Sequence, residues 1–303
     1  MFHNDKRLYE EGYNDKSFPL LIIGTLSSPT GTMFMTLFTR RTLLAGSVGG
    51  VIASVTPPLF GQARKVGPDS GASGLYPGNY RVAAPPIPDG HRALVKTRLG
   101  TLEGIVRDGI RYFRSVPFTE PPVGPLRFRR ALPVKPWRGV RKATANPPAA
   151  MQSGIVAEAP RVSEDCLYLN IWAPSTRGPH PVYVYVHGGA NVTGYSLEHR
   201  VNGANFARDG IVCVNVGYRL GVFGFLELGE VLGAEYAGSG NNGLHDLVTA
   251  LEWVRDNIQE FGGDPHNVTI GGQSAGAFNV LSLAASPVGK GLFRRVISQS
   301  GSG

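Results

Sequence analysis

One segment near the C-terminus limits most strongly which folds this chain can adopt. Residues 267–276 read Asn-Val-Thr-Ile-Gly-Gly-Gln-Ser-Ala-Gly, an apolar strand pattern that runs into a serine flanked by glycines. Because glycine has no Cβ, a Gly-x-Ser-x-Gly turn can be tight enough to push the serine hydroxyl out above a sheet. The helix predicted to follow would aim its first amides at the same point. The pattern therefore predicts a strand–turn–helix unit with Ser274 as a candidate nucleophile.

The central part of the chain has the pattern of an α/β protein. Residues 181–186 and 211–216 are continuous β-branched and aromatic runs, typical of strands buried on both faces of a sheet. Residues 167–172 form a further strand that stops before a proline, and residues 242–261 carry apolar side chains at helical spacing. Strands that alternate with helices predict a mostly parallel sheet with flanking helices.

Both ends of this region carry further strand signals. Residues 93–118 alternate between polar and apolar side chains and turn at residues 99–101 and at Asp108-Gly109, which predicts antiparallel strands at the N-terminal edge of the sheet. Residues 295–298 are predicted to be the last strand, and in residues 64–303 alone this strand is predicted to leave an open apolar edge, a feature that promotes aggregation.

A glycine-rich loop directly follows the predicted strand 181–186. It reads His187-Gly188-Gly189-Ala190. Small residues let main-chain N–H groups approach a substrate closely, and such donors stabilise the negative charge that forms on a carbonyl oxygen during acyl transfer. A loop of small residues can also be a plain turn, but together with the serine turn it favours an oxyanion hole.

Five segments carry further recognisable motifs. They are Phe261–Gly276, Glu164–Pro174, Pro121–Phe128, Gly217–Leu226 and Asn242–Asp246. Taken together, these motifs resemble those of the type-B carboxylesterases, which include the cholinesterases and many bacterial esterases. The match runs from about Val95 to Gly301. The resemblance implies an α/β-hydrolase fold that is present only in its N-terminal portion, with the C-terminal part missing, because members of the family are much longer.

The resemblance also implies roles for residues at the predicted site. Ser274 corresponds to the family's nucleophile. The main-chain N–H groups of Gly189, Ala190 and Ala275 correspond to the oxyanion hole, and Gly188 shapes the same loop. The implied activity is hydrolysis of small-molecule carboxylic esters through an acyl-enzyme, with no cofactor and no metal.

Two structural ion pairs follow from the same resemblance. They are expected between Arg127 and Glu164 and between Arg219 and Asp246. Their role is structural, since a buried charge without a partner is costly.

The acid and the histidine of a catalytic triad are expected after the serine in this fold, in the order Ser, Asp/Glu, His. Residues 275–303 contain no Asp, Glu or His, and all seven histidines lie upstream of Ser274. Two interpretations stay open. The chain is the N-terminal portion of a longer serine carboxylesterase, or it is a catalytically incompetent fragment or a non-catalytic binding member of the same fold.

Two departures from the family bear on the substrate. Gln273 replaces the glutamate that often precedes the nucleophile, and residues 151–163 lack the tryptophan that binds choline in cholinesterases. A quaternary ammonium group needs such an aromatic face for cation–π attraction. We therefore expect neutral esters to be preferred over choline esters.

Charge and cysteine content argue against a nucleic-acid-binding or a metal-binding function. The net charge is +8, and the basic stretch 127–142 is broken by prolines and has no nucleic-acid-binding signature, so a solvated face is expected rather than a nucleic-acid partner. Cys166 and Cys213 are expected to be free thiols, because neither has metal-ligand spacing and Cys213 lies in an apolar run.

The N-terminal region predicts an export signal. Arg40-Arg41 precede a mildly apolar stretch and a small-residue cleavage site near Ala63, which resembles a twin-arginine signal peptide. Residues 1–63 are therefore assigned as leader and signal, residues 64–90 as a flexible linker, and residues 91–303 as the hydrolase portion. The apolar stretch is too short for a stable membrane anchor, so a periplasmic or extracellular location is expected. Nothing in the sequence specifies an oligomeric state.

Overall fold

A computed structural model describes residues 22–25, 88–152, 161–198 and 201–301. Apart from residues 22–25, the predicted leader and signal peptide (residues 1–63) and almost all of the predicted linker lie outside these described residues. Twelve strands occur within the described part, ten of them joined in one sheet. The strands are β1 (Ile22–Thr25), β2 (His91–Lys96), β3 (Thr101–Arg107), β4 (Ile110–Pro117), β5 (Val140–Lys142), β6 (Ala149–Ala150), β7 (Val162–Ser163), β8 (Tyr168–Pro174), β9 (His180–Val186), β10 (Val212–Val216), β11 (Gly263–Gln273) and β12 (Arg295–Gln299).

The large sheet has a parallel half and an antiparallel half. Its strand order is β1-β12-β11-β9-β10-β8-β4-β3-β2. Neighbours from β1 to β10 are parallel, whereas those from β10 to β2 are antiparallel, and β5 pairs in parallel with β3. This arrangement confirms both the parallel core and the antiparallel N-terminal edge predicted from the sequence.

A segment ahead of the predicted hydrolase portion covers the outer edge of the parallel half. β1 pairs in parallel with β12, with Ile22 opposite Val296 and Thr25 opposite Gln299. The open edge is predicted for residues 64–303 alone, which do not include β1, so it stays a prediction for that fragment. The pairing joins segments from the two ends of the chain, and short apolar runs far apart in sequence give no local signal that they will meet.

Five α-helices accompany the strands in the described part of the chain. They are α1 (Ala204–Arg208), α2 (Gly221–Phe225), α3 (Gly229–Leu232), α4 (Asn242–Asn257) and α5 (Ala275–Ala285). Short 3₁₀ turns cover Gly124–Leu126, Ala234–Tyr236, Ser239–Asn241, Ile258–Phe261 and Pro287–Gly289. Within this part of the chain, no helix combines the length and the apolar character needed to cross a bilayer.

The apolar spacing predicts a helix over residues 242–261, but the α-helix itself is shorter than that range. The α-helical part stops at Asn257, and the last turn is a 3₁₀ helix that ends at Gly262 with φ 80°. Glycine adopts this left-handed conformation without a Cβ clash, which makes it a common helix terminator. Because the side chains of Ile258 and Phe261 stay fully buried in the tighter turn, the apolar pattern does not reveal the change.

The core lies on both faces of the parallel strands. All five residues of β10 are buried, and Val182, Val184 and Val186 of β9 are at most 3% exposed. Each of the buried valines stabilises the fold by about 1.5–3 kcal/mol relative to an exposed one. Cys166 and Cys213 are buried and free, as predicted, and burial raises the pKa of both thiols.

The strand order brings two loops to the same end of the sheet. β9 and β11 are adjacent parallel strands, and Val186 at the end of β9 lies opposite Gly272 near the end of β11. The glycine-rich loop leaves β9, and the serine turn leaves β11. The parallel register of these two strands therefore sets the distance between the loops.

Candidate active site

Ser274 occupies the turn between β11 and α5 in a strained backbone conformation. Its φ is 54° and its ψ is −125°, outside the regions that residues with a Cβ normally adopt. Such a residue costs of order 1–3 kcal/mol and persists only where its surroundings enforce it. The main-chain N–H of Ser274 donates a 2.8 Å hydrogen bond to the carbonyl oxygen of Gln299 in β12, which holds the turn against the neighbouring strand. The side chain stays half-buried rather than packed in the core.

The two glycines around Ser274 are required by close main-chain contacts. A Cβ on Gly272 would lie 2.4 Å from the carbonyl carbon and oxygen of Gly276. A Cβ on Gly276 would lie 2.2 Å from the carbonyl oxygen of Val186 and 2.6 Å from that of His187. These atoms belong to the backbone and cannot rotate away. The glycines therefore let the start of α5 press directly against the end of β9.

The N-terminus of α5 gives this corner a positive electrostatic potential. Ser274 is the residue before the first helical position, and Ala275 opens the helix. The first amides of a helix have no partner within the helix, and the aligned peptide dipoles add a partial positive charge at that end. The Ala275 N–H is thus available to a developing negative charge beside Ser274.

The loop after β9 lies directly against the serine turn. A Cβ on Gly188 would be 3.1 Å from the Cβ of Ser274, so the two loops are in contact. Gly189, Ala190 and Asn191 have φ values of 107°, 53° and 57°. The amides of Val192 and Thr193 both donate 3.0 Å hydrogen bonds to the carbonyl oxygen of Gly189, which closes the loop into a tight turn.

His187 is the first residue of this loop and is buried. It is 2% exposed, and burial lowers the pKa of its imidazole to about 4, although the hydrogen bond between Nδ1 and the Gly188 carbonyl oxygen (2.8 Å) acts in the opposite direction. Its ring stacks on Tyr218 with 4.5 Å between centroids. His245 lies half-buried on α4, and burial also lowers its pKa. Among the described residues, no histidine forms a hydrogen bond with Ser274.

Both ion pairs implied by the family resemblance are present, and they differ in burial. Arg127 makes two hydrogen bonds of 2.6 and 2.7 Å to Glu164, with half of the arginine side chain exposed. Arg219 and Asp246 are buried, and the carboxylate accepts bonds from the Arg219 main-chain N–H (3.0 Å), Nε (2.9 Å) and Nη2 (2.7 Å). Burial disfavours the charged form of Arg219, yet the Asp246 carboxylate raises the pKa of Arg219 overall.

An open apolar groove of about 430 Å³ begins at the glycine-rich loop. Val192 and Val222 in its wall are each 55% exposed. The full lining is Ala190, Asn191, Val192, Gly221, Val222, Phe225 and Leu226. Ala190 and Asn191 belong to both the groove and the loop. A group bound in the groove would therefore contact the same loop that faces Ser274.

The structure brings most of the predicted site residues together at one corner. Ser274 lies against Gly188, whose loop continues through Gly189 and Ala190, and Ala275 opens the helix after Ser274. The two ion pairs lie in the supporting scaffold. Sequence reasoning missed three polar residues behind the loop. They are Asn191, Tyr218 and Asn279, whose side chains form hydrogen bonds with one another or with the loop. Their only sequence signal is a polar residue within an otherwise apolar segment.

Residues 91–303 match the sequence profile described as the Carboxylesterase family. The chain is 42% identical over 215 residues to a para-nitrobenzyl esterase of Bacillus subtilis, an alignment that covers 69% of this chain and 43% of that protein. It is 43% identical over 221 residues to a phenmedipham hydrolase of Pseudarthrobacter oxydans, with the same two coverages.

Solved structures give the same result. The crystal structure of a carboxylesterase from Geobacillus stearothermophilus superposes with a TM-score of 0.66 at 46% identity, covering 70% of this chain and 44% of that one. A para-nitrobenzyl esterase structure superposes with a TM-score of 0.65 at 41% identity, covering 69% of this chain and 44% of that one. The chain thus has the α/β-hydrolase fold and spans less than half the length of the relatives it matches. On its sequence and its fold, it belongs to the carboxylesterase family.

Proposed function

We propose that this chain carries the nucleophile and the oxyanion hole of a serine esterase that hydrolyses small carboxylic esters. The observation that carries the proposal is the strained Ser274, held in contact with a loop of main-chain donors. Strained residues persist at functional sites because the surrounding structure enforces them. The family membership and the names of the matched esterases support the same reaction class.

In the proposed reaction, the Oγ of Ser274 attacks the ester carbonyl carbon while a general base takes the hydroxyl proton. The carbonyl oxygen becomes an oxyanion, which the N–H groups of Gly189, Ala190 and Ala275 stabilise. When the intermediate collapses, the bond to the alcohol oxygen breaks and that oxygen takes the proton, which leaves an acyl-serine. Water then hydrolyses the acyl-enzyme by the same steps and frees the acid. Removal of one such oxyanion donor typically lowers kcat by about 10²–10³-fold.

The apolar groove beside the loop supports neutral esters as substrates. Most of its lining is aliphatic or aromatic, including the exposed Val192 and Val222 and the partly exposed Phe225. Gln273, directly before the nucleophile, is neutral. We therefore propose that the ester carries an uncharged apolar acyl or alcohol group.

The proposal is tested with a fluorescent alkyl phosphonate, which traps an activated serine covalently. The protein is expressed from its complete open reading frame, labelled, and mapped by peptide mass spectrometry. We expect one adduct on Ser274 and none in Ser274→Ala. Ser282→Ala is the matched control, because Ser282 is an exposed serine on the same helix. Labelling at another residue, or undiminished ester hydrolysis by Ser274→Ala, would refute the proposal.

A second candidate function is a member that binds without turnover. The observation that favours it is that no described histidine forms a hydrogen bond with Ser274, and a serine hydroxyl is a weak nucleophile without a neighbouring base. The same labelling experiment separates the two functions, since a non-catalytic member would bind esters yet form no phosphonate adduct.

A further inference from the structure

We propose that Asn191 is the positioning residue of the oxyanion loop, and that Asn279 and Tyr218 hold it in place. We call these three side chains the asparagine clamp. This inference rests on the proposed esterase function and adds a mechanism by which the loop keeps its donors aimed at the acyl group bound to Ser274.

The loop needs such a device because its backbone is strained. Gly189, Ala190 and Asn191 are three successive residues with positive φ, and two of them carry a Cβ. For most L-residues this left-handed conformation costs roughly 1–2 kcal/mol each, although asparagine tolerates it better than alanine. A loop built in this way relaxes to another conformation unless outside contacts hold it.

The clamp supplies those contacts through both the side chain and the backbone of Asn191. The Nδ2 of Asn279 donates a 2.9 Å hydrogen bond to the Oδ1 of Asn191, and a longer bond of 3.4 Å runs from the Asn191 amide to the Oδ1 of Asn279. The hydroxyl of Tyr218 donates to the His187 carbonyl oxygen at 2.9 Å and lies 3.3 Å from the same Asn191 oxygen. The amide of Gly221 donates a 2.7 Å bond to the Asn191 carbonyl oxygen.

The location of Asn279 explains why the clamp acts on the site. Asn279 is 4% exposed and lies on α5, one turn beyond Ala275. Its bond to Asn191 therefore ties the loop that presents the Ala190 amide to the same helix that presents the Ala275 amide and follows Ser274. Donors fixed before the reaction need no rearrangement when charge develops, which is the main advantage of a preorganised oxyanion hole.

The test compares variants that remove the clamp in different ways. Asn279→Ala deletes the buried partner, whereas Asn191→Gly deletes the amide but leaves a residue that adopts positive φ freely. Asn257→Ala is the matched control, because Asn257 is also a 4% exposed helical asparagine, but on α4, where its Nδ2 donates to the Trp253 carbonyl oxygen. All proteins are expressed from the complete open reading frame. Measured are kcat and KM for a neutral ester, the rate constant of phosphonate labelling at Ser274, and the apparent Tm.

We expect both clamp variants to lower kcat and the labelling rate constant by about tenfold to a hundredfold, because a misplacement of about 1 Å can cost about 10²-fold. KM should stay within twofold in Asn279→Ala, since Asn279 does not line the groove whereas Asn191 does, and Asn257→Ala should lower the Tm alone. The clamp is refuted if Asn191→Gly has the same kcat as the wild type. It is also refuted if Asn257→Ala loses as much kcat as the clamp variants. If Asn279→Ala does not fold, Asn191→Gly decides the question by itself.

The labelling experiment also separates the clamp from the proposed function. Absence of labelling in the wild type contradicts the proposed function and thereby also the clamp. Normal wild-type labelling with unaffected clamp variants contradicts the clamp only.

Discussion

The buried ion pair between Arg219 and Asp246 allows a quantitative prediction about stability. We consider Asp246→Asn, which keeps the size of the side chain but removes its charge. The carboxylate accepts three hydrogen bonds from Arg219, and both side chains are almost inaccessible to solvent, at 3% and 0% exposure. The amide NH₂ of asparagine would face a donor of Arg219, and the guanidinium would be left as a buried charge with only the Arg129 carbonyl oxygen as a further acceptor.

The size of the effect follows from the burial. Removal of one partner of a buried ion pair destabilises a protein by about 3–5 kcal/mol, because the remaining charge is uncompensated. For a folded region of about 200 residues, each kcal/mol lowers the Tm by about 2–4 °C. We therefore expect Asp246→Asn to lower the apparent Tm by about 6–20 °C.

Thermal unfolding followed by circular dichroism at one fixed scan rate measures this shift. Glu164→Gln is the matched comparison, because it removes the carboxylate of an ion pair whose arginine, Arg127, is half exposed. Its effect should be small, since solvent screens exposed pairs. The double variant Arg219→Met/Asp246→Leu should recover most of the lost stability. Equal Tm shifts for Asp246→Asn and Glu164→Gln would refute the reasoning that burial decides the effect.

Three further predictions concern the glycine contacts, the buried histidine and export. Gly276→Ala should lower kcat by about 10²-fold, because the new Cβ would force a shift of about 1 Å between α5 and β9. Gly139→Ala, where no atom lies within 4 Å but φ is 78°, should lower the Tm through backbone strain and leave kcat unchanged. The free energy of unfolding should fall as the pH drops from 6.5 towards 4, because the unfolded chain takes up a proton at His187 that the folded protein takes up only near its pKa of about 4. Denaturant titrations at several pH values measure the slope of the unfolding free energy against pH. This slope should be smaller in His187→Asn by up to about 1.4 kcal/mol per pH unit, and an unchanged slope would contradict the lowered pKa of His187. Replacement of Arg40-Arg41 by two lysines should trap the precursor inside the cell, since lysine lacks the planar guanidinium, and unchanged secretion in a fractionation assay would point to another export route.

Local sequence signals predicted the elements of the fold but not all of the contacts between them. The strand before Ser274, the glycines beside it and the helix after it depend on neighbouring residues, so one short segment predicted all three. The antiparallel strands of the N-terminal edge were predicted for the same reason, from alternation and tight turns.

Contacts between distant segments were missed. Asn191 and Asn279 lie far apart in the chain, and neither amide has a sequence pattern that identifies the other as its partner. The pairing of β1 with β12 was missed because it joins opposite ends of the chain. In both cases the contact is decided by the strand order, and the hydrophobic period of a single segment carries no information on that order.

The position of β9 in the middle of the sheet has a consequence for synthesis of the protein on the ribosome. β10 follows β9 after residues 187–211, but Val186 and its partner Gly272 in β11 are 86 residues apart in the chain. At a synthesis rate of about 5–20 residues per second, β9 waits about 4–17 s for β11 to emerge. During that interval one edge of an apolar parallel strand is unpaired and can bind another nascent chain. The translation rate between residues 217 and 262 should therefore influence how much soluble protein a cell obtains.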